Sequence, residues 1–194
     1  MATYIKFLGW NEFRLDLSES VRYVIDISHC HYGIGFSKIS KPLKFNPNDE
    51  IYLARMTKKP NDYAIFGKAK SILFEKDRDT ATLNDIKVLS WKERWPYILR
   101  LVNTNFIDGT LQECILLSKI IETFGANSFM RSQRRLLERQ TNINARLFLA
   151  NQSFIELTKE SKEWLFTEFA NNLNNCGNIP IEFINNLPRP ENDF

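Results

Sequence analysis

The chain is poor in the residues that usually announce chemistry. Cysteine is scarce, with three in 194 residues, and Cys30, Cys114 and Cys176 lie far apart. An odd, scattered set builds no disulfide framework and fits a reducing compartment. The only two histidines, His29 and His31, sit together, and no third metal ligand is marked beside them. The seven glycines form no phosphate-cradling loop with a lysine, no G-x-G-x-x-G and no G-x-S-x-G. There is no C-x-x-C and no H-E-x-x-H. These absences remove the familiar signatures of nucleotide-dependent, serine-hydrolase and zinc-protease chemistry, and neither a cofactor nor a metal is expected. No apolar run approaches the ~18 residues of a membrane helix. Residues 1–10 lack the basic start and apolar stretch of a secretory leader, so the expectation is a cytoplasmic protein with no membrane contact.

Aromatic residues are plentiful at 13%, with 15 phenylalanines. Such an excess fills a core, lines a pocket, or does both. The length suits a single domain able to bury its core without staples. We read residues 1–187 as that domain, its C-terminal part a helical extension, and residues 188–194 as a loose tail. Lys and Arg exceed Asp and Glu by only 26 to 23, and the stretch 131–146, with five arginines and one glutamate, accounts for the whole excess. A local patch is a better pointer to an anionic partner than a bulk charge.

Up to about residue 102 the pattern is strand-like. Residues 4–8 read as a short strand, and 21–27 place Val21, Tyr23, Ile25 and Ile27 on one face, the period of two of a half-buried strand. Asn46-Pro47-Asn48-Asp49 is a turn signal, followed by a strand over 50–56. Residues 63–74 read as a long strand, in which Gly67 predicts a bulge or a close backbone approach. A further strand covers 97–102. Helical signals come later. Ser118 is a candidate cap for a helix ending at Gly125, and Asn127 or Ser128 for one over 129–140. Residues 146–150 and 154–157 read as a hairpin. Thr158 caps a last helix stopped by Gly177, with Trp164, Leu165, Phe169 and Leu173 on its apolar face. Strands first and helices later, without β-α-β alternation, predict an α+β fold around a small, curled or barrel-like sheet.

Two segments concentrate polar chemistry. The first is 28–36, with Ser28, His29, Cys30, His31 and Tyr32 beside Gly33 and Gly35. Its plain reading is a polar turn around a buried cysteine; its functional reading is a stacking and hydrogen-bonding surface. The second is Arg131, Arg134, Arg135 and Arg139, which share one face if helical. That face is either solvated and paired with Glu122 and Glu138, or a phosphate-binding stripe, for which arginine is well shaped. Trp10, Trp91 and Trp95 are core or edge packing on the plain reading, and one of them a stacking surface on the other.

Residues 46–55, then 64–72 with their central glycine, then Arg94-Trp95-Pro96-Tyr97 and the strand after it, resemble in order the core of PUA-like domains, above all the EVE branch. The opening, residues 4–13, is a looser match, and the resemblance spans roughly residues 3–157. It implies a PUA-like curled β-barrel with packed helices. It also implies binding of DNA or RNA, often through a modified base taken into an aromatic-lined pocket, as in the related YTH domains. The pocket would draw on Ser28, His29, His31 and Tyr32. The turn lacks the family's usual glycine, and the arginine segment and last helix exceed the minimal domain. The expectation is therefore a nucleic-acid-binding module with no catalytic residue. Ser28, His29, His31 and Tyr32 would form the pocket, Trp10 and Trp95 would contact the nucleic acid, one of them by stacking, and Arg131, Arg134, Arg135 and Arg139 would hold phosphates. Two alternatives stay open: a small hydrolase or nuclease using His29 or His31 as general base, and a protein-interaction module on the aromatic surface.

Overall fold

A computed structural model describes residues 1–8, 25–26, 31–56, 62–108, 113–130 and 153–178. Eight strands form one mixed sheet: β1 (Thr3–Leu8), β2 (Ile25–Asp26), β3 (His31–Phe36), β4 (Glu50–Met56), β5 (Tyr63–Ser71), β6 (Tyr97–Phe106), β7 (Ile115–Leu116) and β8 (Phe154–Glu156). The order is β2-β3-β6-β5-β4-β1-β8, with β7 paired to β5 beside this path. β1 runs parallel to β4, and the other pairings are antiparallel. Among the described residues four α-helices accompany it: α1 (Lys76–Asp79), α2 (Leu83–Val88), α3 (Leu117–Phe124) and α4 (Lys159–Cys176). The α+β class expected from the sequence is the class observed.

The sheet is rolled, and side-chain contacts show it directly. Four strand steps separate β3 from β1, about 19 Å across a flat sheet. Yet the Lys6 ammonium on β1 lies 4.6 Å from the centre of the Phe36 ring on β3. β8 is one step further, and its Phe154 ring is 6.2 Å from Phe36. Only a strongly curled sheet brings these faces together. In register, Tyr4, Lys6, Leu53, Phe106, Tyr32 and Phe36 share the inner face. Helix α4 covers the outer face at β4, where Phe169 meets Tyr52 at 5.5 Å and Lys162 meets Glu50 at 3.6 Å.

The roll has local causes. Between Leu53 and Ala54 the register with β5 shifts, from Gly67 to Ile65, leaving Phe66 as the extra residue of a bulge. The irregularity predicted at Gly67 is thus present, and so is the close approach. A Cβ there would stand 2.8 Å from the Phe106 ring and 3.1 Å from Leu53. A second shift lies between β5 and β6 after Lys68, where Asn103 adopts a left-handed φ of 52° that asparagine tolerates. In the turn before β4, Asn48, at φ 68°, occupies the backbone region where a glycine would be usual. The buried Asp49 carboxylate accepts N–H bonds from Ala2 at 2.8 Å and Asn46 at 2.9 Å, tying the chain's start to this turn.

Several expectations are corrected. Residues 31–36, read as part of a polar turn, are the strand β3. Tyr32, Ile34 and Phe36 alternate with the two glycines, and antiparallel pairing with β6 over Tyr32–Phe36 holds the segment extended. β5 ends at Ser71, short of residue 74, and β6 runs on to Phe106. Ser118 does not cap α3; its N–H donates to the Asp62 carboxylate at 3.3 Å, so the cap comes from a residue distant in sequence. Phe129 does not open a helix. It is extended and bridges Leu157, and the Met130 N–H bonds Glu156 O at 3.0 Å, so pairing with β8 wins there. The rest of the helix read over 129–140, the strand over 146–150, and most of that over 21–27 lie outside the described residues. α1 and α2 carry no strong apolar period and were not anticipated, although Thr82 and Asp85 form a capping box. Thr158 and Gly177 do cap and stop α4 as read.

Gly67 supplies a test of the roll. Phe106 and Leu53 are both buried, so neither can swing away from an added methyl. Gly67→Ala is expected to cost about 1–3 kcal/mol of stability in urea unfolding. Adding Phe106→Leu, which opens space over the new Cβ, should recover part of that loss. An unchanged midpoint in the single variant would show that this contact does not hold the curl.

Candidate nucleic-acid interface

One end of the inner face carries an unusual combination. β1 contributes Tyr4 and Lys6, β3 ends in Phe36, and β8 begins with Phe154. The chain leaving β3 passes Lys41 and a 3-10 turn, Pro42–Lys44, which sets Phe45 into the gap. The four rings touch one another. Tyr4 and Phe45 are 4.8 Å apart, Phe45 and Phe154 4.8 Å, Tyr4 and Phe154 5.6 Å, and Phe36 and Phe45 5.8 Å. Edge and tilted pairs of this kind are each worth about 0.5–1.5 kcal/mol beyond area burial. They make a firm wall at a place where the sheet has nearly closed on itself.

Two ammonium groups lie on this wall. Lys6 Nζ is over Phe36, donates to the Phe7 carbonyl at 3.2 Å, and is only 6% exposed. Lys41 Nζ is 5.7 Å from the centre of the half-buried Phe154 ring and is itself half-exposed. Among the described residues no carboxylate pairs with Lys6. Burial, and then the repulsion of Lys41, lowers its pKa from the ordinary 10.5 to about 7. That corresponds to on the order of 5 kcal/mol against the charged form. A cation–π contact returns about 0.5–2 kcal/mol, too little to offset it. The acids nearby are engaged elsewhere. Asp49 holds backbone N–H groups, and Glu156 stands opposite Tyr4 in the β1–β8 register. Burial, and then Asp49, raises the Glu156 pKa. Burial, then Glu156 and Asp49, pushes the Tyr4 hydroxyl up to about 12.

The residues singled out from sequence are placed as follows. His31 opens β3, opposite Asp26 of β2. Tyr32 is half-buried on the inner face, its ring 5.5 Å from Phe106 and its hydroxyl bonded to Thr104. Burial, offset in part by that bond, raises its pKa. Trp95 is half-buried after the turn Ser90–Glu93, with the Arg94 guanidinium 5.2 Å from its ring centre. Trp10, Ser28, His29, Arg131, Arg134, Arg135 and Arg139 lie outside the described residues. Sequence reasoning missed Lys6, Lys41, Phe45 and Phe154. The available signal was Lys6 itself, a lysine sharing a strand face with Tyr4 and Leu8.

Other reactive groups are quieter. Burial, with Cys176 and Glu113 adding, pushes the Cys114 thiol up to about 12, so it is not a poised nucleophile. Among the described residues no three His, Cys, Asp or Glu side chains are grouped to hold a metal ion. No described helix is long and apolar enough to cross a membrane.

No family model matches the chain, and no curated protein matches it. Among solved structures it is similar to a hypothetical protein from Leishmania major, at 9% identity over 90% of this chain and 96% of that one, with a TM-score of 0.42. It is also similar to human THYN1, solved in complex with 5-methylcytosine-containing DNA, at 13% identity over 86% and 96%, with a TM-score of 0.41. Overlaps of this size carry no inference about what this chain binds.

The lowered Lys6 pKa makes a stability prediction. Between the folded value near 7 and the unfolded value of 10.5, the unfolded chain holds the proton that the folded chain has lost. Stability should therefore rise by roughly 1.4 kcal/mol per pH unit above neutrality. Ionisation of Cys114 and Tyr4 in the unfolded chain opposes this above about pH 9, so the usable window is about pH 7–9. Lys6→Met should abolish the rise and be the more stable protein at pH 6. Urea unfolding of both proteins across the window checks this, and a parallel slope in the variant would contradict it.

Proposed function

We propose that the chain is a nucleic-acid-binding module whose ligand engages the mouth between β1, β3 and β8. The observation that carries the reading is the pair Lys6 and Lys41, each over a phenylalanine ring of one aromatic cluster. A strand of nucleic acid brings the two complementary groups together, flat bases for rings and phosphates for ammonium ions. The arginines of residues 131–146 and the resemblance to EVE domains support the same reading. On it, Tyr32 and the histidine segment contribute to accepting a base, modified or not, and the arginines hold flanking phosphates. The resemblance of residues 46–55, 64–72 and 94–97 to EVE domains makes DNA with a modified base a reasonable first ligand to try.

A second reading uses the same amine. A buried lysine with a pKa near 7 is matched to general base work at neutral pH. A small hydrolase or nuclease would then act from Lys6 rather than from His29 or His31. Turnover of labelled RNA or nucleosides, lost in Lys6→Met, would favour it.

Fluorescence anisotropy tests the binding reading, using short single- and double-stranded DNA and RNA with and without 5-methylcytosine. Affinity should fall steeply between about 50 and 200 mM salt. Lys41→Ala should weaken binding to all sequences and lower the salt slope by about 1. Phe154→Ala should cost about 1–3 kcal/mol if a base stacks there. Absence of binding at the lower salt by every ligand would reject the proposal.

A further inference from the structure

We propose that Lys6 and Lys41 form a subsite for one oxyanion, a phosphate or a carboxylate, beside the contact of the Phe36 and Phe154 rings. The proposal deepens the nucleic-acid reading by naming the group the mouth takes, but the subsite rests on its own geometry. Two like charges are held on adjoining faces of a single aromatic cluster, one of them 6% exposed. One Lys6 N–H bond is accounted for, to the Phe7 carbonyl, out of the three an ammonium can donate. A purely structural site would be filled better by methionine or leucine, because burying an ammonium without a carboxylate costs several kcal/mol. An oxyanion between the two lysines satisfies the remaining donors and cancels the repulsion in one step.

The surrounding charges favour this position over others. Lys6 stands in register with Leu53 on β4 and Phe154 on β8 and shares its strand face with Tyr4. Its ammonium lies over Phe36, beside which stands Tyr97 of β6, and Lys41 approaches on the segment after β3, while Arg55 and Glu156 lie two residues further along β4 and β8 on the same face. Asp49 lies beyond Tyr4. Of the charged groups, Lys41 is the one that acts on Lys6. Glu156 and Asp49 act instead on Tyr4, and Asp49 on Glu156, so among the described residues no carboxylate pairs with Lys6 or Lys41.

Proton uptake follows from the arrangement. Without ligand, Lys6 is about half protonated near neutral pH. A bound oxyanion favours the ammonium form, so binding above neutrality draws one proton from solvent. Affinity should then fall by about tenfold per pH unit above 7 until the bound-state pKa is reached. The site would hold an anionic ligand tightly in slightly acidic medium and release it as the medium becomes basic.

Sulfate is the suitable first probe, because its charge does not change across this range. Sulfate binding is measured by calorimetry from about pH 6 to 9, in two buffers of different ionisation enthalpy to count protons. In parallel, the 13Cε resonance of Lys6 is titrated with and without sulfate. The expected results are a decline in affinity with pH, uptake of close to one proton per sulfate at the basic end, and a Lys6 midpoint moved upward by the anion. Lys6→Met should remove the pH dependence and weaken binding by about tenfold or more. Lys41→Gln, a change at a half-exposed side chain that leaves the core intact, should weaken binding while keeping the proton uptake. Acetate and inorganic phosphate then separate the two sources: a preference for acetate marks a carboxylate ligand, a preference for phosphate a phosphoryl one. A Lys6 midpoint indifferent to all three anions, or sulfate binding unchanged in Lys6→Met, would overturn the subsite. Oligonucleotide binding that survives Lys6→Met and Lys41→Gln unchanged would also overturn it, leaving nucleic-acid binding as such but moving it away from this mouth. Sulfate linkage without any oligonucleotide binding would do the reverse.

Discussion

The roll of the sheet is the constraint on which the rest depends. Flat, the strands would place Lys6 and Phe36 about 19 Å apart, and Tyr4, Phe45 and Phe154 would share no space with them. Rolled, the same residues form one cluster in which β8, the last of the described strands, closes against β3 from the first quarter of the chain. The candidate site is a consequence of closure. It exists because the sheet has bent until the side chains of β8, at one end, meet those of β3, one strand from the other end, and the aromatic side chains fill the seam where they do.

Closure in turn depends on small departures from regularity. The bulge at Phe66 and the left-handed Asn103 flank β5 on its two sides, against β4 and β6. Each adds local twist, and Gly67 between them lets the Phe106 ring lie on the strand itself. Helix α4 then braces the outer face through Phe169 on Tyr52 and through the Glu50 carboxylate, which meets Lys68 at 3.3 Å and Lys162 at 3.6 Å. At the start of the chain, Asp49 holds the Ala2 N–H, which fixes where β1 begins beside β4. Lys6 therefore reaches the mouth in a defined register, and a one-residue slip would put it on the outer face.

What could be read from sequence followed from local periodicity and punctuation. β1, β4, β5 and α4 announce themselves through alternation, an Asx-rich turn, and a Thr and Gly pair that start and stop a helix. Gly67 was informative because glycine in a strand has few reasons to be there. The errors have a common cause, interactions between residues distant in sequence. Asp62, not Ser118, caps α3; Leu157 keeps Phe129 extended; pairing to β6 makes a strand of residues 31–36. The candidate site was illegible for the same reason. Lys6, Lys41 and Phe154 share no motif and no period, and the sheet alone brings them together. Attention went to His29, Tyr32 and the arginines, whose clustering is visible along the chain.

Among the described residues two lysines are buried, and their contrast shows why Lys6 is better read as functional than as incidental. Lys92 is fully buried in the turn after α2, and the Asp85 carboxylate lies 3.9 Å from its Nζ, inside the capping box that starts that helix. Its charge has an opposing charge, as burial of an ammonium ordinarily requires. Lys6 is nearly as deep, with a ring and a carbonyl for company and a second lysine nearby. Among the described residues, one buried ammonium thus has a carboxylate beside it and the other has none. Among the described residues, the acids nearest the second lysine are turned to other tasks, Asp49 to backbone N–H groups and Glu156 toward Tyr4. A group that stays charged only at a cost, placed where a flat wall and a second cation converge, is poised to respond to whatever anion arrives. That responsiveness is what a structural lysine lacks, and it is the physical content of calling the mouth a binding site.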